Sequence, residues 1–299
     1  MTTPLQATEP SVRPPFAAAV AGPTAHEAQN HRLPRRYRTI WVSDVHLGAR
    51  AAKAGALLAF LRASRCEHLY LVGDILDFWK LKRRVHWPQD HSAVVSHLLA
   101  LARSGTRVTY VPGNHDVEFR GHGIVELGDV EVRDEVVHHT ADGRRLLVTH
   151  GDRFDDYGEE SAWLVALGDW LYAWTVRASE ALNVVRKWCG RPYWSLSLHL
   201  KQKVKGAVGF VSRFEERVTA AARERHVDGV VCGHIHKAEL RDIDGVTYAN
   251  DGDWVESCTA LVEHACGRLE LLQWNGVEAV PISGTREYAA VDPAVLAGV

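Results

Sequence analysis

Cysteine is scarce in this sequence and suggests no pairing. The five residues (Cys66, Cys189, Cys232, Cys258 and Cys266) are odd in number, and none has C-x-x-C spacing. That excludes a disulfide framework or a zinc ribbon as the organising principle and fits a reducing compartment. No apolar run approaches the roughly 18 residues needed to cross a bilayer. The N-terminus lacks a basic stretch ahead of an apolar one. Phe16 to Ala21 is apolar but short and flanked by prolines, so no signal peptide is expected and the expected location is the cytoplasm. A basic excess is also missing: 35 Lys and Arg face 37 Asp and Glu, a formal net charge of −2. Nucleic-acid binders usually carry a basic surplus, and no basic stripe with stacking aromatics tracks a single strand here, so no nucleic-acid partner is expected.

Histidine and tryptophan, by contrast, are abundant. There are 17 His, which matters chemically only if they cluster with carboxylates. Five of the 10 Trp, namely Trp163, Trp170, Trp174, Trp188 and Trp194, fall in one short stretch. The length of 299 residues suits one large α/β domain or two smaller ones and is ample for a sizeable core.

Residues 1–35 are rich in Pro, Ala, Thr and Gln and read as a disordered tail, with little to bury against the entropy of ordering. Order is expected from about Tyr37. Thr39–Val42, His68–Val72 and Arg107–Val111 read as strands. Ala51–Ala63 and His91–Arg103 between them read as helices, the second from the spacing of Val94, Val95, Leu98, Leu99 and Leu101. Strand, helix, strand, helix, strand predicts parallel α/β winding. Further strands are expected at Leu146–Val148, Gly229–Cys232, Val246–Tyr248, Thr259–Val262 and Leu269–Trp274. Residues 158–225 repeat apolar positions every three or four residues and predict a helical insert. The core is then 36–157 with 226–285.

Five polar motifs follow five of these strands: Asp44-Val45-His46, Gly73-Asp74-Ile75-Leu76-Asp77, Gly113-Asn114-His115-Asp116, His150-Gly151-Asp152 and Gly233-His234-Ile235-His236. Singly, such motifs are mostly turns or surface chemistry. Five in a row, each at a strand end where α/β sheets bind ligands, point to a single metal centre. Carboxylate, imidazole and amide oxygen together suit Mn, Fe or Zn; imidazole argues against Ca or Mg alone. Two metals need a bridging ligand, and Asp74, directly after a strand and a glycine, is the natural bridge.

The order D-x-H, G-D-x-x-D, G-N-H-D, H, G-H-x-H resembles that of the calcineurin-like metallophosphoesterases, over about Arg38 to Trp274. The resemblance implies an α/β fold, a β-sandwich flanked by helices in α-β-β-α layers, and two divalent ions, taken as manganese with Fe, Co or Zn as alternatives. It implies one ion on Asp44, His46, Asp74 and His236 and the other on Asp74, Asn114, His150 and His234. His115 is then the group that stabilises the transition state or protonates the leaving oxygen, Asp116 orients its ring, and Asp77 supports the ligands from behind. More finely, Ser43–Gly48, Gly73–Trp79, Pro192–Ser197 and Tyr248–Glu263 look like the UDP-2,3-diacylglucosamine diphosphatase branch. That branch implies hydrolysis of a lipid-bearing UDP sugar to UMP and 2,3-diacylglucosamine 1-phosphate, in lipid A biosynthesis, by a metal-bridging hydroxide. One position departs: the best-known lipid A enzymes have Arg where His115 stands, and general phosphodiesterases have His. The alternatives are therefore a phosphodiesterase for a small soluble ester or nucleotide, and a metal-free binding scaffold; the presence of every expected ligand disfavours the scaffold.

The insert reads two ways. Its apolar stripe and Trp residues either pack as core or line a groove for acyl chains, as ligand pockets are mostly apolar. Arg186, Lys187, Lys201, Lys203 and Lys205 are either a solvated face or contacts for phosphate. Asp155, Asp156, Ser195, Ser197, Lys201 and Lys205 are the candidates for substrate contact. Asp155, Asp156, Asp251 and Asp253 could hold sugar hydroxyls or ligating imidazoles, or simply shape turns, the reading preferred for Asp253. Trp79 and Trp87 with Lys80, Lys82, Arg83 and Arg84 could form an interfacial patch, giving peripheral contact with the inner membrane surface.

Overall fold

The computed structural model describes residues 34–121, 125–155 and 205–282. Residues 1–33 of the expected tail, residues 158–204 of the expected insert, and the candidates Asp156, Ser195, Ser197 and Lys201 lie outside them.

The described elements run β1 (Arg35–Val42), α1 (Ala54–Arg62), β2 (Ser64–Val72), α2 (Phe78–Arg83), α3 (Gln89–Arg103), β3 (Arg107–Val111), β4 (Val125–Leu127), β5 (Val130–Val132), β6 (Val136–His139), β7 (Arg145–Val148), α4 (Lys205–Glu224), β8 (Gly229–Cys232), β9 (Glu239–Ile243), β10 (Val246–Asn250), β11 (Thr259–Glu263), β12 (Leu269–Trp274) and β13 (Ala279–Pro281). Among these residues, one sheet has the order β13-β12-β11-β1-β2-β3-β5-β4 and a second has β6-β7-β8-β10-β9. β1, β2 and β3 are parallel neighbours, as are β7, β8 and β10.

The layering follows from the two-residue period of strands. Along β1, Ile40 and Val42 join a core with Leu57, Phe60 and Leu61 of α1 and Leu98 of α3, whereas Trp41 between them joins Leu146, Val148 and Val231 of the second sheet. β2 repeats the division: Leu69 and Leu71 face the helices, Tyr70 and Val72 face the other sheet. In the second sheet, Leu147, Val230 and Tyr248 turn outward to meet Phe214, Val218 and Ala222, a stripe of α4 four residues apart. Helix, sheet, sheet and helix thus stack around three apolar layers, the expected architecture. α4 falls inside the segment expected to be an insert, and its stripe packs as a layer of the core. Lys205 opens this helix.

Strands with unbroken apolar runs lie where the sequence predicts them; β3, β8 and β12 match residue for residue. β4, β5, β6, β9 and β13 are not predicted: the first four are interrupted by charged residues or histidine, and β13 is three residues long and ends in proline. α2 is also additional. Asp77 caps it, accepting a hydrogen bond from the Lys80 amide at 2.8 Å, as short acidic side chains do at helix starts.

Candidate metal centre

The five polar motifs lie at the carboxyl ends of parallel strands, three from the first sheet and two from the second. Backbone bonds stitch these ends together: Asp44 N–H to Gly73 O (3.0 Å), His46 N–H to Asp74 O (2.8 Å) and Gly233 N–H to His150 O (3.1 Å). The loops are locally unfavourable. Asp44 (φ 50°), His46 (53°), Asp74 (52°), His234 (68°) and His236 (52°) all sit in the left-handed region, which disfavours side-chain-bearing residues by about 1–2 kcal/mol each. Such outliers gather where a fixed side-chain direction matters more than local comfort. Close packing adds a further constraint: a Cβ on Gly233 would lie 2.4 Å from Asp44 Oδ2 and 2.3 Å from Ser43 Oγ, so only glycine fits.

Asp74 Oδ2 is the centre of the arrangement. It lies 3.9 Å from His46 Nε2, 3.4 Å from His150 Nε2 and 4.0 Å from His115 Nε2. On one side, Asp44 Oδ1 is 3.0 Å from His236 Nε2 and 3.8 Å from His46 Nε2. On the other, the His150 and His234 rings meet edge to face with centroids 5.2 Å apart. Asn114 stands between Gly113 and His115, and the His115 amide donates to Asp74 Oδ1 at 2.8 Å. Ligand atoms of Asp44, His46 and His236, and of Asp44, Asp74 and His150, lie within 4.8 Å of one another. Six of the seven expected ligands are therefore brought together from both sheets, and the seventh, Asn114, lies in the loop whose next amide bonds to Asp74.

The donors fit divalent ions. His150 Nδ1 donates to Val72 O at 2.9 Å, which leaves Nε2 to ligate, the tautomer that such backing bonds select. His46 Nε2, Asn114 Oδ1 and His150 Nε2 are buried without a hydrogen bond, an arrangement that is costly unless another partner satisfies them. Charge is concentrated as well. Burial, the largest single influence, pushes the Asp44 and Asp74 carboxyls upward, yet neighbouring imidazoles hold both well below the usual carboxylate range: His236 and His150 for Asp44; His150, His46 and His115 for Asp74. Burial likewise pulls the imidazoles down, but carboxylates outweigh it. Asp77, Asp74 and Asp44 raise His46 to about 9, and Asp74, Asp44 and Asp152 raise His150 to about 10. Cations would displace those protons.

His115 is held differently from the expectation. The carboxylate at its ring belongs to Asp77, whose Oδ1 is 3.1 Å from His115 Nδ1 and whose Oδ2 is 3.5 Å from His46 Nδ1. Asp116 does not orient this ring. It is fully buried and accepts from the amides of Gly113 (2.5 Å) and Ile75 (2.8 Å) and from the Tyr110 hydroxyl (2.5 Å). The reason is local: five residues past β3 the chain has turned back, so Asp116 points under the loop and pins it to the loop after β2. Trp79, in the first turn of α2, covers the His115 ring, with centroids 4.1 Å apart.

Of the remaining candidates, Asp155 Oδ2 lies 3.0 Å from His234 Nε2, the imidazole-holding alternative rather than a free substrate contact. Asp253 shapes a turn, accepting from the amides of Val255, Glu256 and Ser257. Arg120 is a residue the sequence does not single out. Its guanidinium grips Asp152 through two bonds (2.6 and 2.7 Å) and the Pro112 carbonyl (2.7 Å), tying the Asn114 loop to the His150 loop. No motif spacing signals that pairing.

Comparison with known proteins agrees with this geometry. The family model for calcineurin-like phosphoesterase matches residues 37–238. The UDP-2,3-diacylglucosamine hydrolase of Ralstonia nicotianae (strain GMI1000) is 32% identical over 229 residues, covering 72% of this chain and 82% of the relative. That of Neisseria meningitidis (serogroup A, strain Z2491) is 25% identical over 240 residues, covering 72% and 88%. Among solved structures, Yfce, a phosphoesterase from E. coli, is 15% identical with a TM-score of 0.41, covering 82% of this chain and 98% of that one. The matched span begins in β1 and ends just past His236, the same stretch that contains all seven candidate ligands, and the chain belongs to the calcineurin-like phosphoesterase family of metal-dependent hydrolases.

Proposed function

We propose that this hydrolase cleaves the pyrophosphate bond of UDP-2,3-diacylglucosamine, giving UMP and 2,3-diacylglucosamine 1-phosphate, while resting against an anionic membrane surface. The observation that carries the reading is the surface beside the centre. Trp79 (44% exposed), Val85 (75%), Trp87 (37%) and Val117 (43%) are large apolar side chains open to solvent. The Lys82–Glu118 ion pair draws Val117 toward α2, and Lys80, Arg83 and Arg84 are exposed among them. A phosphoester centre with an apolar, basic rim suits a substrate that is phosphate at one end and lipid at the other. The names of the relatives support the same substrate. Among the described residues no helix is long and apolar enough to cross a membrane.

In this reading Asp44, His46, Asp74 and His236 hold one divalent ion, and Asp74, Asn114, His150 and His234 the other, with manganese the preferred metal. Bound there, two ions supply an activated water and neutralise phosphoryl oxygens. The protein does the rest. Asp77 fixes His115 through Nδ1, leaving Nε2 to give a proton to the departing oxygen. Trp79 closes one face of that imidazole to water. A second reading, a small soluble phosphodiester as substrate, is favoured by the histidine at 115.

The test is turnover with added Mn of UDP-2,3-diacylglucosamine beside bis-p-nitrophenyl phosphate and a plain UDP sugar. UMP released mainly from the acylated substrate supports the proposal; cleavage of the small esters alone leaves the second reading. Co-sedimentation with anionic vesicles at low salt tests the membrane contact, and no binding there refutes it.

A further inference from the structure

One carboxyl group close to the centre has no place in the ligand set. Asp251, just past β10, is fully buried, its amide bonded to Cys232 O at 3.0 Å. Its Oδ1 lies 2.6 Å from Ser43 Oγ, and the same hydroxyl lies 2.6 Å from Asp44 Oδ2 and 3.1 Å from Gly252 O. Asp251 Oδ2 is buried without a hydrogen bond.

Ser43 has one hydroxyl proton, yet two carboxyl oxygens sit at 2.6 Å from its oxygen, a separation typical of an O–H donor facing a charged acceptor. Two such contacts need two protons. Asp44 is a poor host for the second. Its Oδ2 already accepts the His234 amide at 2.9 Å, and its Oδ1 faces His236. Among the described residues Asp251 forms no ion pair, its one side-chain hydrogen bond is to Ser43, and the pull of His150 and of its own amide on the carboxyl is outweighed by burial.

We propose that Asp251 is a positioning residue that works as a neutral acid: it donates to Ser43, Ser43 donates to Asp44 Oδ2, and Asp44 is thereby locked with Oδ1 turned to the metals. Burial, with the charge of Asp44 adding to it, pushes the Asp251 carboxyl well above the usual carboxylate range. The chain of bonds runs from the second sheet to the first, so it also sets how β10 meets the loop after β1. A charged Asp251 would repel Asp44 and leave one contact without a proton.

The inference rests on the metal centre and not on the substrate, so it is tested with Mn alone on the full chain. Affinity is read by calorimetry, and fold by thermal melting in EDTA. Asp251→Asn keeps a neutral donor and is expected to bind Mn within about threefold of the parent. Asp251→Ala and Ser43→Ala are each expected to lose about 10–100-fold, the usual cost of removing a partner behind a metal ligand. The double variant should fall no further than the worse single one, because both act through one chain of bonds. A purely structural role would lower the melting temperature in EDTA and leave Mn affinity of the folded protein unchanged. If Asp251→Asn loses as much affinity as Asp251→Ala, or Ser43→Ala loses none, the proposal is wrong. Ser43→Ala removes a single oxygen, so it decides the matter even if Asp251→Ala does not fold.

Discussion

Gly113→Ala is the sharpest test of the centre's geometry, because it adds one carbon and changes no charge. Gly113 lies outside the left-handed region, so alanine is not penalised by its backbone angles. Its Cβ, however, would lie 2.2 Å from Asp74 Oδ1, 2.7 Å from the Asp74 amide nitrogen and 2.8 Å from His150 Cδ2. Contacts below 3.0 Å are not tolerated, so Asp74 Oδ1 must retreat by about 0.8 Å and the Asp74 backbone by about 0.3 Å. Rotating the side chain cannot relieve the second contact. Nor can Asp74 move freely, since Oδ1 also accepts the His115 amide. A misplacement near 1 Å costs about 100-fold in rate, and overpacking of this kind about 1–3 kcal/mol in stability. The expected result is a kcat for bis-p-nitrophenyl phosphate with Mn reduced about 100-fold, a melting temperature lowered by several degrees, and less than two metals per chain by elemental analysis. A Gly113→Ala protein with two metals and activity within twofold of the parent would show that Asp74 is not the shared ligand held at this spot.

Asp74→Ala is expected to abolish turnover and to leave less than one tightly bound metal per chain; full occupancy of both sites would remove the bridge. His115→Ala is expected to lower kcat by about 10²–10⁴-fold, the range for a lost proton donor, with metal content unchanged. Metal loss in that variant would make His115 a ligand instead. In the metal-free protein, His46 and His150 have raised folded pKa values of about 9 and about 10. Their contribution is fully present below the ordinary histidine pKa and is lost as pH rises through 9 and 10. Metals replace those protons, so the gain in melting temperature from Mn over EDTA should grow from pH 6 to pH 9; a gain that is flat or falls with pH would contradict protonated imidazoles in the free site.

Much of the fold was legible because the central strands are continuous apolar runs. Tyr110 and Val111 lead straight into Gly113-Asn114, and Val231-Cys232 into Gly233-His234, so strand and ligand loop announce each other. The edges were not legible. Glu239–Ile243 carries Glu, Arg and Asp because only part of it faces the core. The candidate ligands could be named from type and order, since each loop must present a donor just after a strand. Of the partners behind them Asp77 could be named, but not which rings it meets. Whether Asp77 or Asp116 meets His115 depends on how two separate loops fold against each other, which neither motif alone reveals. Ser43 and Asp251 are 208 positions apart, and nothing in either segment announces the other. The stripe of α4 left both readings of the insert open, because a helical stripe looks the same beside a groove as in a core layer until its neighbours are known.

The proposed ligands are divided between the sheets: Asp44, His46, Asp74 and Asn114 come from the first, His150, His234 and His236 from the second. During synthesis the first four leave the ribosome long before His236. With that ligand set the metals would not be secured until β8 has been made and laid beside β7, so they would enter an assembled sandwich rather than seed one. Metal supply then governs how much of the finished protein is active, and has little say in whether the first sheet forms.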